Sequence, residues 1–221
     1  MTTEVLQVAL FTITAATLAT LLMLVPGIAL AWTLARRDFP GKSVVETLVA
    51  LPLVVPPVAT GLLLLWLLGR RGPVGAWLER IGIEIVFTPA AVVLAMAVMG
   101  FPLLVRTARA GFEQATRRYE QMAETLGAGP WRTFSSVTLP LATRTIVAGA
   151  ILAFSRALGE FGATVVVAGS IPGRTRTLAV GIFSHTEAGN DAVAAAMVAI
   201  SVGIAFAAVL VSNRLAHSSH A

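Results

Sequence analysis

Two oppositely charged side chains stand inside an apolar run in the last third of the chain. Arg156 and Glu160 lie four positions apart in the sequence AFSRALGEFGAT. Residues at this spacing share one face of a helix, so their side chains can pair. The pattern favours either an ion pair that fixes the helix, or a pathway in which Arg156 attracts an anion while Glu160 holds and partly neutralises it.

The sequence otherwise lacks the residue patterns of an enzyme. Gly41-Lys42-Ser43 matches the end of a nucleotide-binding P-loop, but the full pattern requires a glycine where Arg36 stands. No nucleophile or general base appears in a catalytic motif. The chain has no cysteine, and no metal cluster is expected from the three histidines, which are scattered at His185, His217 and His220. We therefore predict no catalytic residue, no metal site and no nucleotide site in this chain.

The composition is that of a membrane protein. Of 221 residues, 57% are hydrophobic and only 12% are charged, and the mean hydropathy is +0.85. Soluble domains carry about 25% charged residues. The net charge of +5 does not indicate nucleic-acid binding, because the arginines lie at the ends of apolar runs.

We predict an all-α integral membrane protein, because apolar runs long enough to cross a bilayer recur along the sequence. A spanning helix needs roughly 20 apolar residues. Five such runs occur, and the alternative is a sixth element, either in Gly75–Ile85 or at a break in the fourth run. No positive charge precedes the first run, which is also too long for a secretory signal. The five predicted spans are Val8–Ala35, Val44–Leu68, Ile85–Val105, Thr145–Gly169 and Ala192–Ser212.

The distribution of positive charges predicts an orientation. Cytoplasmic loops carry an excess of lysine and arginine. With the N-terminus outside, ten positive residues fall in inner loops, namely Arg36, Arg37, Lys42, Arg106, Arg109, Arg117, Arg118, Arg132, Arg144 and Arg214. Five fall in outer loops, namely Arg70, Arg71, Arg80, Arg174 and Arg176. The count favours an N-out, C-in topology.

Prolines are concentrated in the predicted spans. The second span contains Pro52, Pro56 and Pro57, and the third contains Pro102. Each proline removes a backbone donor and bends a helix. The bends are either packing kinks or part of a cavity or moving segment. We include Pro56, Pro57 and Ser155 with the charged pair as candidate pathway residues.

One polar segment, residues 117–140, interrupts the apolar pattern on the predicted inner side. Tyr119, Met122, Ala123 and Leu126 recur at i, i+3, i+4 and i+7, as on one face of a helix. Gly127, Gly129 and Pro130 then predict an elbow, followed by a second short helix, and Pro140 marks the entry to the fourth span. An interfacial loop on lipid is the alternative. The predicted docking residues are Tyr119, Glu120, Met122, Ala123, Glu124, Leu126, Gly127, Trp131, Arg132 and Phe134.

This segment resembles the cytoplasmic coupling loop of ABC-importer permeases, whose pattern is roughly E-A-A, a later Gly, and I-x-L-P. Gln121-Met122-Ala123 takes the first place, Gly127 the Gly, Val137 the Ile, and Leu139-Pro140 the Leu-Pro. Gln121 and Met122 depart from the pattern, although Glu120 precedes them. Because Gln121 stands where the pattern has a glutamate, these departures weaken any claim that a carboxylate at this place makes an essential contact.

The resemblance covers the chain from Val8 to Leu215, which we treat as one permease domain. RRDFPGKSVVETLVALPLVVPPVATGLLLL resembles the second-helix region of molybdate and sulfate permeases, and AFSRALGEFGAT is similar to an intramembrane signature of the same group. IPGRTRTL resembles an outer loop of the molybdate branch, with Arg174 replacing an acid. The resemblance implies a type I ABC importer permease that moves molybdate, or else tungstate, sulfate or thiosulfate.

The resemblance also implies an assembly in the inner membrane of a prokaryotic cell. The permease forms a homodimer, each copy docks its coupling loop on a cytoplasmic ATPase, and a periplasmic or lipid-anchored binding protein delivers the oxyanion. ATP and Mg²⁺ belong to the ATPase, and this chain binds no cofactor. A stand-alone channel or secondary transporter is the alternative, but such proteins often contain inverted repeats, and no internal repeat appears. A membrane-embedded enzyme is the third alternative, and it lacks candidate catalytic groups.

Overall fold

A computed structural model describes residues 2–115 and 117–217, and within them all regular secondary structure is helical. In chain order, the helices are α1 (Thr2–Arg36), α2 (Lys42–Val54), α3 (Pro57–Leu68), α4 (Pro73–Arg80), α5 (Pro89–Gln114), α6 (Arg117–Thr125), α7 (Pro130–Thr133), α8 (Leu139–Leu158), α9 (Gly162–Ala168), α10 (Leu178–Glu187) and α11 (Asp191–His217).

The predicted number of spans is confirmed for the described chain when one bent helix pair is counted as a span. Four segments are long and apolar enough to cross a membrane, namely Thr3–Arg36, Pro89–Gln114, Pro130–Leu158 and Asp191–Leu210. Helices α2 and α3 together form the fifth. The sixth element that the sequence allowed in Gly75–Ile85 is α4, which has only eight residues and is too short to span.

The proline-rich second run breaks rather than kinks. Helices α2 and α3 meet at an angle of 115°. Val55 is extended, with ψ of 135°, and Pro57 begins the new helix at its first turn. Two consecutive prolines remove two backbone donors and disfavour helical geometry before them. By contrast, Pro26, Pro52 and Pro102 lie inside continuous helices.

The fourth run differs from its predicted bounds at both ends. Pro140 marks the entry to α8 as predicted, because α8 begins at Leu139, but the preceding short helix does not stop there: α7 continues through a π-helical turn at Phe134–Thr138 into α8. In that turn the Leu139 N–H bonds to the Phe134 carbonyl, five residues back. Pro140 lies directly after this turn, in the first turn of α8. The run breaks at Gly159–Phe161, so α9 is a separate helix of seven residues.

Helix α5 lies at the centre of the bundle, between α1 and α8. The main core is built largely from alanine, methionine and valine, including Ala95 and Met96 of α5 and Ala153 of α8. Small residues let helix backbones approach closely where apolar side chains alone give no driving force in lipid. At Gly61 of α3, an added Cβ would stand 2.8 Å from the Ala163 carbonyl oxygen of α9.

The bundle has two ends, which we name the N-terminal end and the α6 end. At the N-terminal end, Glu4 of α1 lies 3.4 Å from Arg176, and the Phe87 N–H bonds to the Val167 carbonyl at 3.1 Å. At the α6 end, the last residue of α1, Arg36, bonds to the carbonyl of Ala115, just after α5. The long loops of the molecule are therefore sorted to opposite ends of the spans.

Candidate functional site at the α6 end and the buried ion pair

The elbow after α6 is a helix-terminating turn that depends on glycine. Gly127 has φ of +84°, in the left-handed region. The Ala128 N–H bonds to the Ala123 carbonyl at 3.0 Å, and the Gly127 N–H bonds to the Glu124 carbonyl at 2.9 Å. This pair of bonds defines a Schellman turn, in which glycine satisfies the last carbonyls of a helix without steric cost. The predicted elbow is therefore present, and Pro130 begins α7 as expected.

Four of the predicted docking residues form an exposed apolar surface, which we name the α6–α7 surface. Its members are Tyr119, Met122, Leu126 and Trp131. Leu126 is 87% exposed and Trp131 is 77% exposed. Large apolar side chains that cluster in the open usually mark an interaction surface. Glu124 and Arg132, also predicted docking residues, are exposed beside them.

Phe134, by contrast, faces the body of the protein and holds the elbow against the spans. Its ring lies 5.2 Å from that of Trp32 in α1, 6.4 Å from Phe112 in α5 and 5.7 Å from Trp131. Ala123 is likewise half-buried on the inner side of α6. Aromatic contacts of this kind add stability beyond the area that they bury. The Phe134 ring therefore connects the exposed Trp131 with the membrane helices α1 and α5.

Glu120 also faces inward, although the sequence groups it with the docking residues. Its Oε1 lies 2.7 Å from Nη2 of Arg36 and accepts a hydrogen bond from the Thr138 hydroxyl at 2.7 Å. The same Nη2 donates to the Ala115 carbonyl at 3.0 Å. Neither Arg36 nor Thr138 is among the residues that the sequence predicts for this site. No sequence signal joins Arg36 to Glu120, because 84 positions separate them.

A small cavity lies between α6 and the end of α1. It measures about 250 Å³, and its lining includes Trp32, Arg36, Glu120, Gln121 and Phe134. The turn between α1 and α2 lies at this end too. There Lys42 donates to Asp38 at 2.9 Å, and this bond with the Lys42 charge lowers the pKa of the Asp38 carboxyl. Lys42 is the first residue of α2 and follows a helix rather than a strand, so it stands in no P-loop.

The second candidate site is the pair Arg156–Glu160, which forms as both sequence hypotheses require. Nη1 of Arg156 lies 2.7 Å from Oε2 of Glu160, whose side chain is 1% exposed. Oε1 of Glu160 accepts from the Ala163 N–H at 2.7 Å, so it also caps the first turn of α9. The Arg156 side chain keeps 27% exposure. The carboxylate is thus internally satisfied, while the guanidinium remains partly open.

The candidate pathway residues divide into two groups. Pro57 lies beside the pair's helix break, because an added Cβ at Gly162 would stand 2.7 Å from Cβ of Pro57. The two helix breaks, at Pro56–Pro57 and at Gly159–Phe161, therefore pack against each other. Ser155 instead donates to the Ile151 carbonyl at 2.8 Å and lines a separate cavity between α8, α10 and α11. Within the described chain, no group of three metal-binding side chains occurs.

Comparison with known families identifies the class of this protein. A family model described as binding-protein-dependent transport system inner membrane component matches residues 27–218. The chain belongs to this family and is a multi-pass membrane component of a transport system.

Individual relatives within this family are permeases for molybdenum and sulfate. The chain is 44% identical over 215 residues to the molybdenum transport system permease protein ModB of Escherichia coli, which covers 96% of this chain and 94% of the relative. It is 40% identical over 176 residues to a probable sulfate transport system permease protein of Chlorokybus atmophyticus, covering 80% of this chain and 62% of the relative.

Solved structures show the same fold at low sequence identity. A bacterial ABC transporter that imports the acidic polysaccharide alginate matches with a TM-score of 0.75 and 17% identity, over 99% of this chain and 80% of the other. A second structure of a bacterial alginate ABC transporter, bound to a periplasmic protein that carries an alginate pentasaccharide, matches with a TM-score of 0.72 and 18% identity, over 95% and 77%. The predicted ABC importer permease fold is therefore confirmed.

Proposed function

We propose that this chain is the permease subunit of an ATP-driven importer that carries molybdate into the cytoplasm. The observation that carries the proposal is the 44% identity to a molybdenum permease over 96% of this chain. The exposed α6–α7 surface supports the ATP-driven part, because a chain without a nucleotide site needs a contact through which a separate ATPase moves it. The chain itself binds no cofactor, and the partner ATPase binds the ATP and Mg²⁺.

The ATPase docks on the α6–α7 surface at the cytoplasmic side, which is consistent with an N-out, C-in orientation. Trp131 is its main anchor, because aromatic side chains that enter a partner's pocket carry much of the energy of an interface. Glu124 and Arg132 form polar contacts at the rim of the surface. Motion of the docked loop then reaches the spans through Phe134, whose ring contacts both α1 and α5.

The remaining partners follow from the transport class. Two copies of the permease form a homodimer with the pathway between them, and a binding protein delivers the oxyanion at the N-terminal end. A structural neighbour in complex with a periplasmic protein supports that kind of partner. Within the pathway, Arg156 offers partial positive charge to a passing dianion, while Glu160 keeps the guanidinium in place. The complex lies in the inner membrane of a prokaryotic cell.

Sulfate is the second candidate substrate, because one relative is a probable sulfate permease at 40% identity. Tungstate shares the charge and shape of molybdate and is a further candidate. In either case the pathway requires a tetrahedral dianion.

The test is ATP hydrolysis by the permease–ATPase complex reconstituted in proteoliposomes. We expect molybdate-loaded binding protein to stimulate hydrolysis and molybdate to accumulate in the lumen. Stimulation only with sulfate would mean that the chain belongs to an ATP-driven importer of sulfate rather than of molybdate. If no ATPase copurifies with the chain, the docking proposal fails.

A further inference from the structure

We infer that Glu120 is a positioning residue that latches α6 to the spans, rather than a contact residue for the ATPase. The inference rests on the proposed docking of an ATPase at the α6–α7 surface. It assigns to Arg36, Glu120 and Thr138 a role that neither the sequence motif nor the family supplies. We name these three residues the α6 latch.

The latch joins distant parts of the chain at one carboxylate oxygen. Oε1 of Glu120 accepts hydrogen bonds from both the Arg36 guanidinium and the Thr138 hydroxyl, each at 2.7 Å. Arg36 ends α1, Glu120 lies in the first turn of α6, and Thr138 lies just before α8. A charge-assisted hydrogen bond is shorter and stronger than a neutral one. Displacement of α6 relative to the spans therefore strains its links to both α1 and α8.

The latch is largely sheltered from water. The side chains of Arg36 and Glu120 are 11% and 17% exposed, and Thr138 is buried. Solvent and salt screen such a pair far less than a surface pair. Arg36 also bonds to the Ala115 carbonyl, so the end of α5 belongs to the same network. One guanidinium thus holds the end of α5 and the start of α6 in register with α1.

The rest of α6 shows that this arrangement is particular to Glu120. Glu124, one turn later, is exposed and forms no ion pair within the described chain. Tyr119 and Met122 are also exposed. Helix α6 therefore presents one face to a partner, while Glu120 on another face is already occupied by the protein. A carboxylate with two internal donors is poorly placed to contact an ATPase.

The experiment compares the reconstituted permease–ATPase complex with Glu120→Gln, Arg36→Gln and Thr138→Val. The matched controls are Arg118→Gln, on the same helix, and Glu187→Gln, at the end of α10. Both control residues are exposed and have no ion pair within residues 2–115 and 117–217. The measurements are ATPase copurification, molybdate uptake per ATP hydrolysed, and hydrogen–deuterium exchange of the α6 peptide in the complex and in the permease without the ATPase.

We expect each latch variant to retain the ATPase but to lose roughly tenfold in uptake per ATP, within the range of typical coupling effects. Exchange in α6 should rise, while exchange in α11 stays unchanged. The double variant Arg36→Gln with Glu120→Gln should be no worse than either single variant, because residues in one network are not additive. Thr138→Val removes one donor only, so its effect should be the smallest.

Three results would overturn the inference. Loss of ATPase copurification in Glu120→Gln, at unchanged α6 exchange, would make Glu120 a docking contact. Full coupling and unchanged exchange in all latch variants would mean that the network carries no motion. Additive losses in the double variant would show that the two side chains act separately. If the parent complex itself shows no stimulated hydrolysis, the proposed function fails, and the exchange measurement still tests the latch.

Discussion

Removing the charge of Glu160 should destabilise the permease strongly. The change Glu160→Gln leaves the Arg156 guanidinium without its counter-ion in a site where the carboxylate is 1% exposed. Breaking a buried ion pair from one side costs about 3–5 kcal/mol. We expect about 3 kcal/mol, the lower limit, because Arg156 is itself 27% exposed. Glu160→Ala also loses the bond to the Ala163 N–H, which adds about 1 kcal/mol.

Thermal unfolding followed by tryptophan fluorescence measures this effect, since the chain has four tryptophans. A loss of about 3 kcal/mol should lower Tm on the order of 10 °C. The double variant Arg156→Met with Glu160→Gln should recover most of the loss, because a buried pair replaced on both sides is often neutral. An unchanged Tm in Glu160→Gln, or a double variant less stable than the single one, would refute the reasoning.

The same double variant separates the two hypotheses for this pair. If it is stable and still transports, the pair only fixes the helix break. If it is stable but uptake is lost, Arg156 acts on the passing anion. The single variant Arg156→Ala should likewise reduce uptake more than assembly in the second case.

Three further predictions concern the elbow, the docking surface and the helix breaks. Gly127→Pro and Gly127→Ala should reduce ATPase copurification, since a non-glycine residue at φ of +84° costs about 1–2 kcal/mol, whereas Gly127→Asn should be tolerated. Trp131→Ala should lower Tm only slightly, because Trp131 is 77% exposed, but should weaken ATPase binding by about 2 kcal/mol in a titration. Gly61→Ala should lower Tm, because its Cβ would stand 2.8 Å from the Ala163 backbone, while Gly203→Ala, with open space around it, should not. Normal ATPase binding in Trp131→Ala, or equal Tm in the two alanine variants, would contradict the respective argument.

The sequence alone predicted the number of spans and the position of the elbow. Apolar runs of sufficient length are a local property, and lipid leaves the backbone almost no alternative to helix. The stripe from Tyr119 to Leu126 likewise predicted α6, because it follows the helical repeat. Pro56 and Pro57 predicted a bend in the second span, but the sequence did not predict a break with an angle of 115°. The continuation of α7 into α8 through a π turn was not predictable, because Pro140 alone signals a boundary.

Within the candidate sites, periodicity identified which residues belong to α6 but not which way each one faces. The sequence therefore grouped Glu120 and Phe134 with Leu126 and Trp131, and the structure turns the first two inward. The pair Arg156–Glu160 was predictable because both members lie on one helix. The link from Arg36 to Glu120 was not, because it exists only where α1 and α6 meet.

The sequence by itself determined that this chain is a helical membrane protein with an amphipathic segment between spans and no enzyme motif. Hydrophobic burial in lipid and helical spacing act over a few turns, so composition and local order suffice to establish them. Only the tertiary structure decided which polar groups are satisfied internally and which remain open to a partner. Those contacts join residues as far apart as positions 36 and 120, and they form only after several helices have packed.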